Sequence, residues 1–267
     1  MQQEPGVQTA TASDDAALAF HAQRCSKQFG DQMVLREVEF SARYGEFVGL
    51  VGPSGAGKST LLRLMNGMHR ADSGSVRVLG ADPAACSRRE LRELRARIGF
   101  VFQNFGLVGR LTAMENVLTG ALATLRWPRY GIMTYPRSLR ERAVEHLDRV
   151  GLVDHRFQRC DSLSGGQQQR VAVARTLMQG PDIILADEPI ASLDPAASSR
   201  VLETLRAINR EDGISVVCSL HQIEFALETT DRIVGLSGGL LVLDESSRTL
   251  SRQRLDAIYG PMDQADA

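Results

Sequence analysis

Short apolar runs recur along the chain, and most are followed by a stretch with helical spacing. Phe47–Val51, Ile98–Phe102, Ile183–Ala186 and Ile214–Leu220 are dominated by apolar residues, as expected of strands buried on both faces. Leu18–Phe29 and Met33–Ala42 read as two further strands around the turn Gly30-Asp31. Ser73-Gly74-Ser75 turns the chain into a short strand, Val76–Leu79, which Gly80-Ala81-Asp82-Pro83 breaks. Ile233–Leu236 and Leu240–Leu243 pair around Ser237-Gly238-Gly239. Between the runs, Ser87–Arg97 and Leu139–Val150 have helical spacing, and Gln222–Thr229 is a short helix. Three helix starts are marked by their caps. Thr112-Ala113-Met114-Glu115 fits T-x-x-E, and Ser164-Gly165-Gly166-Gln167 fits S-x-x-Q and opens a helix to about Met178. Asp194-Pro195 opens a helix to about Arg210 with proline at its first position. Trp127–Gly131 interrupts the helical region with turn formers. The alternation predicts an α/β fold with a largely parallel core sheet. The mostly helical stretch 87–163 is expected to form a lobe inserted into it.

One junction of strand and helix carries chemistry. Between Phe47–Val51 and the helical Leu61–Met65 lies Gly52-Pro53-Ser54-Gly55-Ala56-Gly57-Lys58-Ser59-Thr60, which fits G-x-x-x-x-G-K-[ST]. The glycines let backbone N–H groups turn inward around an anion, and the helix that follows adds positive potential. Lys58 is expected to reach the β- and γ-phosphates of a nucleotide, and the Ser59 hydroxyl to ligate Mg²⁺. Composition sharpens this. Of 31 basic residues only Lys27 and Lys58 are lysine. A chain that uses arginine almost everywhere keeps a lysine here, where a compact ammonium fits inside a ring of amides and a planar guanidinium does not.

A net charge of −1 over 267 residues gives no global attraction to nucleic acid or anionic lipid. No apolar run approaches the ~20 residues that span a bilayer, and the polar start, residues 1–17, has no signal-peptide core and reads as a disordered tail. A soluble, cytoplasmic protein is expected. Cys25, Cys86, Cys160 and Cys218 lie far apart without a CxxC pattern and read as reduced thiols.

Asp187 and Glu188 follow the apolar Ile183–Ala186. A carboxylate at the end of a buried strand holds Mg²⁺ opposite the loop hydroxyl in phosphate-loop enzymes, and Asp187 is expected in that role. Glu188 stands one residue on, where it can polarise a water for attack on the γ-phosphate. The two glycines at the helix start after Ser164 make a second anion site. Two phosphate-binding helix ends and one carboxylate-bearing strand suggest shared sites, the second helix end completing a partner's nucleotide site in a head-to-tail dimer.

From about Leu18 to Tyr259 the chain resembles ABC-transporter ATP-binding subunits. The resemblance implies a P-loop NTPase core with a mainly parallel sheet, an antiparallel β subdomain and an inserted α-helical subdomain, the cassette filling 18–260 between terminal tails. Gly52–Thr60 matches the family's Walker A, Leu163–Gln167 the LSGGQ signature, Asp187 and Glu188 Walker B and the catalytic glutamate, and Ser192-Leu193-Asp194 the D-loop. By the same resemblance Gln103 touches Mg²⁺ and the attacking water, and His221 contacts the γ-phosphate. Phe29 falls where the family stacks an aromatic, usually tyrosine, on adenine. The expected nucleotide contacts are therefore Phe29, Gly52, Pro53, Ser54, Gly55, Ala56, Gly57, Lys58, Ser59 and Thr60, with Ser164, Gly165, Gly166 and Gln167 from a second copy. Ser59, Gln103 and Asp187 are the expected metal residues, and Glu188, His221, Gln103 and Lys58 the catalytic ones.

Residues 103–111 and 115–122, the run Ala186–Pro195, Ser219–Gln222 and the segment Leu125–Pro136 resemble the phosphonate-importer ATPase subgroup. That implies ATP and Mg²⁺ as cofactors, a homodimer of ATPase subunits, membrane permease subunits docking beside Gln103–Val117, and indirectly an external solute-binding protein, with no nucleic acid. The subunit would sit on the cytoplasmic face of the plasma membrane. Phe105, Leu107, Val108 and Leu111 are expected to divide between docking and internal packing. Importers of other small solutes such as phosphate or amino acids, a non-transport ABC ATPase and a non-catalytic nucleotide-regulated adaptor are the alternatives.

Overall fold

The computed structural model describes residues 17–125, 131–252 and 254. The expected tails, the turn residues Trp127 to Tyr130 and the region around Tyr259 lie outside them, apart from Ala17, whose carbonyl accepts from Tyr44 N.

Strand β1 (Leu18–Phe29) turns through Gly30-Asp31 into β2 (Gln32–Arg43), and β3 (Phe47–Val51) follows. Helix α1 (Lys58–Met65) leads to β4 (Ser73–Val78), α2 (Arg88–Ala96) and β5 (Ile98–Val101). Helices α3 (Ala113–Thr119) and α4 (Arg137–Arg149) come next, then α5 (Gly165–Leu177). The chain ends as β6 (Ile183–Ala186), α6 (Pro195–Asp212), β7 (Ser215–Ser219), α7 (Ile223–Thr229), β8 (Arg232–Ser237) and β9 (Leu240–Ser246).

The strands form two sheets. One is antiparallel, in the order β2-β1-β4, and the other has six strands in the order β5-β6-β7-β3-β8-β9. The first five strands of the larger sheet are parallel, and β9 closes the edge antiparallel to β8. The buried runs explain the topology. All five residues of β3 and all four of β6 are buried, and alternate residues face opposite layers. Val48, Leu50, Ile183 and Leu185 pack toward the antiparallel sheet and α1. Phe47, Val51, Ile184 and Ala186 pack toward the helical side with residues of α5 and α6. Each large aliphatic side chain so buried contributes about 1.5–3 kcal/mol. A polar residue in either register would face a core.

The helical lobe begins later than the expected residue 87. Strand β5 pairs with β6 along Ile98↔Ile183 to Val101↔Ala186, so it is the edge of the core sheet. Helix α2 joins the same layer: Leu94 is buried with the antiparallel-side cluster, and Arg95 donates from Nη2 to Gly67 O (2.7 Å) and from Nε to Asn66 O (3.1 Å). Its charged, helical sequence resembles the lobe, but the strand behind it ties it to the core. The lobe proper follows Val101, with α3 and α4 packed on α5. Arg149 at the end of α4 tethers it to α6 through Asp212 (2.7 Å) and Glu211 (3.4 Å).

The capping signals hold. Thr112 and Ser164 form complete capping boxes with Glu115 and Gln167, and Asp194 accepts from Ala197 N at 2.8 Å. Ser87 forms a third box with Glu90. All four cysteines are free thiols; Cys25, Cys160 and Cys218 are buried.

Candidate active site

Because the core strands are parallel, their carboxyl ends share one edge, where ligands bind in open α/β sheets. Strand β3 exits there into Gly52–Thr60, β6 into Asp187-Glu188, β7 into Leu220-His221, and β5 toward Gln103.

The loop after β3 is shaped by backbone that few residues other than glycine adopt. Gly52, Gly55 and Gly57 have φ of 140°, 76° and 105°. A Cβ on Gly57 would stand 2.6 Å from Leu35 Cδ2 and 2.9 Å from Val34 O, so β2 forms the outer wall of the loop. Lys58 opens α1 and is only 4% exposed. Its Nζ donates to Gly52 O (2.7 Å) and Pro53 O (3.0 Å), which holds the ammonium over the loop. Gln32, Val34, Gly55, Ala56, Gly57, Lys58, Ser59, Thr60 and Glu188 line one cleft of about 200 Å³.

The carboxylate strand meets this loop directly. Ser59 Oγ donates to Asp187 Oδ1 at 2.7 Å, and Arg63 Nη2, one turn along α1, is 3.7 Å from Asp187 Oδ2. Asp187 is 5% exposed and its N–H donates to Val101 O at 2.9 Å. Glu188 is half-buried at a left-handed φ of 49°, a conformation that costs a non-glycine residue about 1 kcal/mol or more. Two contacts hold it: Glu188 N–H donates to Ser219 Oγ (2.8 Å), and Glu188 Oε1 meets His221 Nε2 (2.6 Å). Ser219 Oγ also donates to Asp187 Oδ1 at 3.2 Å. The Cys218 thiol beneath is pushed up by burial and by the charge of Asp187.

Lys58, Ser59, Asp187, Glu188 and His221 therefore come together, as their motifs require. Gln103 is exposed and is not part of the cleft wall; it follows by two residues Val101, whose carbonyl accepts from Asp187. Phe29 ends β1, paired with the cleft residue Gln32, and its ring is 43% exposed. It meets His69 edge-on, with centroids 5.1 Å apart, and Lys27 Nζ lies 5.2 Å from its centre. Burial, then Arg63 and Lys27, hold His69 below the ordinary imidazole range.

Ser164 to Gln167 lie apart from this cleft in the same chain, at the start of α5. Ser164 Oγ accepts from Gln167 N (3.3 Å), and Gln167 Oε1 accepts from Ser164 N (2.9 Å). The two glycines serve close packing as well as any anion: a Cβ on Gly166 would stand 2.8 Å from Ala197 Cβ, and one on Gly165 3.2 Å from Leu193 Cδ2.

Three residues that contact the site's carboxylates or loops have no individual role in the sequence reading. Ser219 is the polar end of a buried strand, a departure from the apolar pattern that marks it. Arg63 is three residues past Thr60 on α1, the spacing of one helix face. Arg175, one of many arginines, carries no local signal.

The sequence matches the ABC transporter family model over residues 35–191, more than half of its length. The chain belongs to the ABC transporter family. It is 55% identical over 240 residues to the phosphonates import ATP-binding protein PhnC of Frankia casuarinae, covering 89% of this chain and 95% of that protein. The phosphate-import ATP-binding protein PhnC of Mycolicibacterium smegmatis is 50% identical over 248 residues, covering 93% and 94%. An ATP-binding cassette solved as a dimer in a post-hydrolysis state with ADP and Pi superposes with a TM-score of 0.76 at 34% identity, over 86% of this chain and 100% of that one. The P-loop ABC ATPase fold is thus that of this chain: a parallel core, an antiparallel sheet and a helical lobe.

Proposed function

We propose that this chain is the ATP-hydrolysing subunit of an ABC importer for phosphonates. The observation that carries the ATPase reading is the meeting of Lys58, Ser59, Asp187, Glu188 and His221 on one edge of the sheet. Lys58 and the inward amides of 52–60 bind the phosphates, and Phe29 stacks on adenine. Ser59 and Asp187, with Gln103 moving in from outside the cleft wall, would hold Mg²⁺. The adjacent oxygens of Ser59 and Asp187 suit a hard cation. When bound, the metal neutralises charge on the transferring phosphoryl group.

Glu188 orients and deprotonates the attacking water, and His221, bonded to Glu188 Oε1, keeps that carboxylate aimed and steadies the γ-phosphate. Positioning and charge stabilisation supply nearly all the rate. Ser164, Gly165, Gly166 and Gln167 of a second copy close the site, so the working unit is a head-to-tail homodimer. Nucleotide-driven closure and post-hydrolysis opening bias the permease between its two states.

The permease docks where core and lobe leave a cleft of about 430 Å³, whose wall combines the apolar Phe100, Phe102, Leu122 and Met68 with the polar Arg95 and Gln179. Val108 is 52% exposed, available to a partner, whereas Leu107 packs on the core and Phe105 lies over Gly165. No described helix is long and apolar enough to cross a membrane. The subunit is held at the cytoplasmic face by its permease. The solute reaches the permease from an external binding protein, and no nucleic acid takes part.

Phosphate is the second reading, because relatives of similar identity are named for phosphonates and for phosphate. The ATPase never touches the cargo, so vesicles decide. With permease and binding protein reconstituted, ATPase is expected to rise with phosphonate in the binding protein, and Lys58→Ala is expected to abolish the signal with nucleotide affinity. Stimulation by phosphate alone overturns the phosphonate reading, and unchanged ATP affinity in the lysine variant overturns the site.

A further inference from the structure

Arg175 lies near the end of α5, far along the helix from the signature residues, and is partly buried. Burial lowers its affinity for a proton from the usual guanidinium value. It pairs with no carboxylate among the described residues. Its guanidinium bonds go to backbone: Nη1 donates to Gly106 O and Nη2 to Phe105 O, the latter at 3.1 Å. Both acceptors have left-handed backbone, with φ of 56° at Phe105 and 61° at Gly106. Consecutive residues in that region turn both carbonyls toward the helix, and the non-glycine Phe105 is strained by about 1 kcal/mol or more. A bidentate fork bridges two adjacent carbonyls where an ammonium, a single point charge, holds them poorly.

The same loop touches α5 at its other end. A Cβ on Gly165 would stand 3.7 Å from Phe105 Cζ, so the ring covers the signature glycine while the guanidinium grips the carbonyl behind it. Asn104 continues the lock, its carbonyl accepting from Gly106 N, and Phe105 N donates to Phe102 O at 3.1 Å. Gln103 sits inside this turn, between the sheet edge at Phe102 and the clamp at Phe105-Gly106.

We infer that Arg175 is a positioning residue: by clamping Phe105 and Gly106 to the signature helix, it fixes the loop that presents Gln103 and makes that loop move with Ser164–Gln167. It acts through Gln103 without touching nucleotide, and it rests on the reading of Gln103 as a metal- and water-contacting residue. The ordering of a loop that aims one catalytic amide is worth orders of magnitude in rate when misplacement is about 1 Å.

The test uses the full chain with Mg²⁺·ATP. Arg175→Met keeps the apolar stem and removes the fork, Arg175→Lys keeps the charge, and Gly106→Ala strains the clamp from the loop side, because its φ of 61° disfavours a residue with a Cβ. Backbone amide hydrogen exchange across 103–107 is expected to speed up in Arg175→Met and Gly106→Ala, with α5 itself unchanged. Turnover is expected to fall by roughly 10- to 100-fold with ATP affinity preserved, and Arg175→Lys to recover only part of it. In a double-mutant cycle, Arg175→Met is expected to cost little more once Gln103→Ala is present, because both act on one amide.

Unchanged exchange in 103–107 overturns the clamp. A double variant as slow as the product of the two single effects overturns the route through Gln103. If exchange rises while Gln103→Ala turns over at the wild-type rate, the clamp stands and the role given to Gln103 falls. If Arg175→Met does not fold, Arg175→Lys and Gly106→Ala carry the same exchange test, and wild-type exchange in both overturns the clamp.

Discussion

Ser59 and Asp187, 128 residues apart in the chain, share a hydrogen bond of 2.7 Å. One comes from the first turn of α1 and the other from the end of β6, and Arg63 neutralises the far oxygen of the carboxylate at 3.7 Å. The bond brings the two oxygens expected around a Mg²⁺ ion into contact. It is a consequence of topology: β3 and β6 are both parallel to β7, which lies between them, so their exits face the same side.

In the proposed mechanism, Glu188 is the group on which hydrolysis turns. Glu188→Gln keeps the shape of the side chain and removes the base. ATP binding is expected to persist, turnover to fall by roughly 100-fold or more, and an ATP-dependent dimer to accumulate because hydrolysis no longer opens it. Size-exclusion chromatography with and without Mg²⁺·ATP, beside a phosphate-release assay, checks this. Normal turnover in the variant removes Glu188 from its role.

Ser219 supports the Asp187 carboxylate and the Glu188 backbone, and touches no expected position of nucleotide. It accepts from the strained Glu188 N–H (2.8 Å) and donates to Asp187 (3.2 Å). Ser219→Ala leaves a buried N–H without its acceptor, at a cost of about 1–3 kcal/mol, and frees Glu188 to leave its left-handed conformation. The expected result is kcat lower by about tenfold, with ATP affinity near that of the parent. Equal kcat would make Ser219 a structural residue only.

How far the sequence disclosed this site depends on whether the constraint was local. Gly52–Thr60 was legible because loop, lysine and hydroxyl are contiguous, and the parallel sheet because β3, β5, β6 and β7 are apolar runs. Helix starts at Ala113, Gly165 and Pro195 were legible from their caps, which act over three residues. Ser219, Arg63 and Arg175 act on partners 32, 124 and 69–70 positions away, and no local pattern reports such a distance. The start of the lobe was misread for the same reason. Helix α2 is charged like the lobe, and only the pairing of Ile98 with Ile183 assigns it to the core.

Gly166 has two reasons to be glycine, and stability separates them. A Cβ there would stand 2.8 Å from Ala197 Cβ at the start of α6. Gly166→Ala gains helix propensity but forces α5 and α6 apart, with a net loss of about 1–3 kcal/mol expected. Thermal unfolding of the nucleotide-free chain is therefore expected to move down by several degrees. If the midpoint stays in place while ATP-dependent dimerisation is lost, the glycine serves the partner's nucleotide alone.

His146, on α4, links acid sensitivity to the tether between lobe and core. Burial, then Arg142 and Arg149, hold its imidazole down to about 4 from 6.5, with Asp212 opposing. Neither ring nitrogen has a hydrogen-bond partner among the described residues. The folded chain thus keeps the ring neutral while the unfolded chain protonates it. Since the unfolded state binds more protons between the two values, stability rises with pH across that window and is lost as pH falls from 6.5 toward 4. Partial exposure screens the effect, so its sign and window are the prediction. His146→Leu removes the titrating group at similar side-chain size. Urea unfolding at intervals across that window is expected to show a flatter pH profile for the variant than for the parent, and parallel profiles would place the acid sensitivity elsewhere.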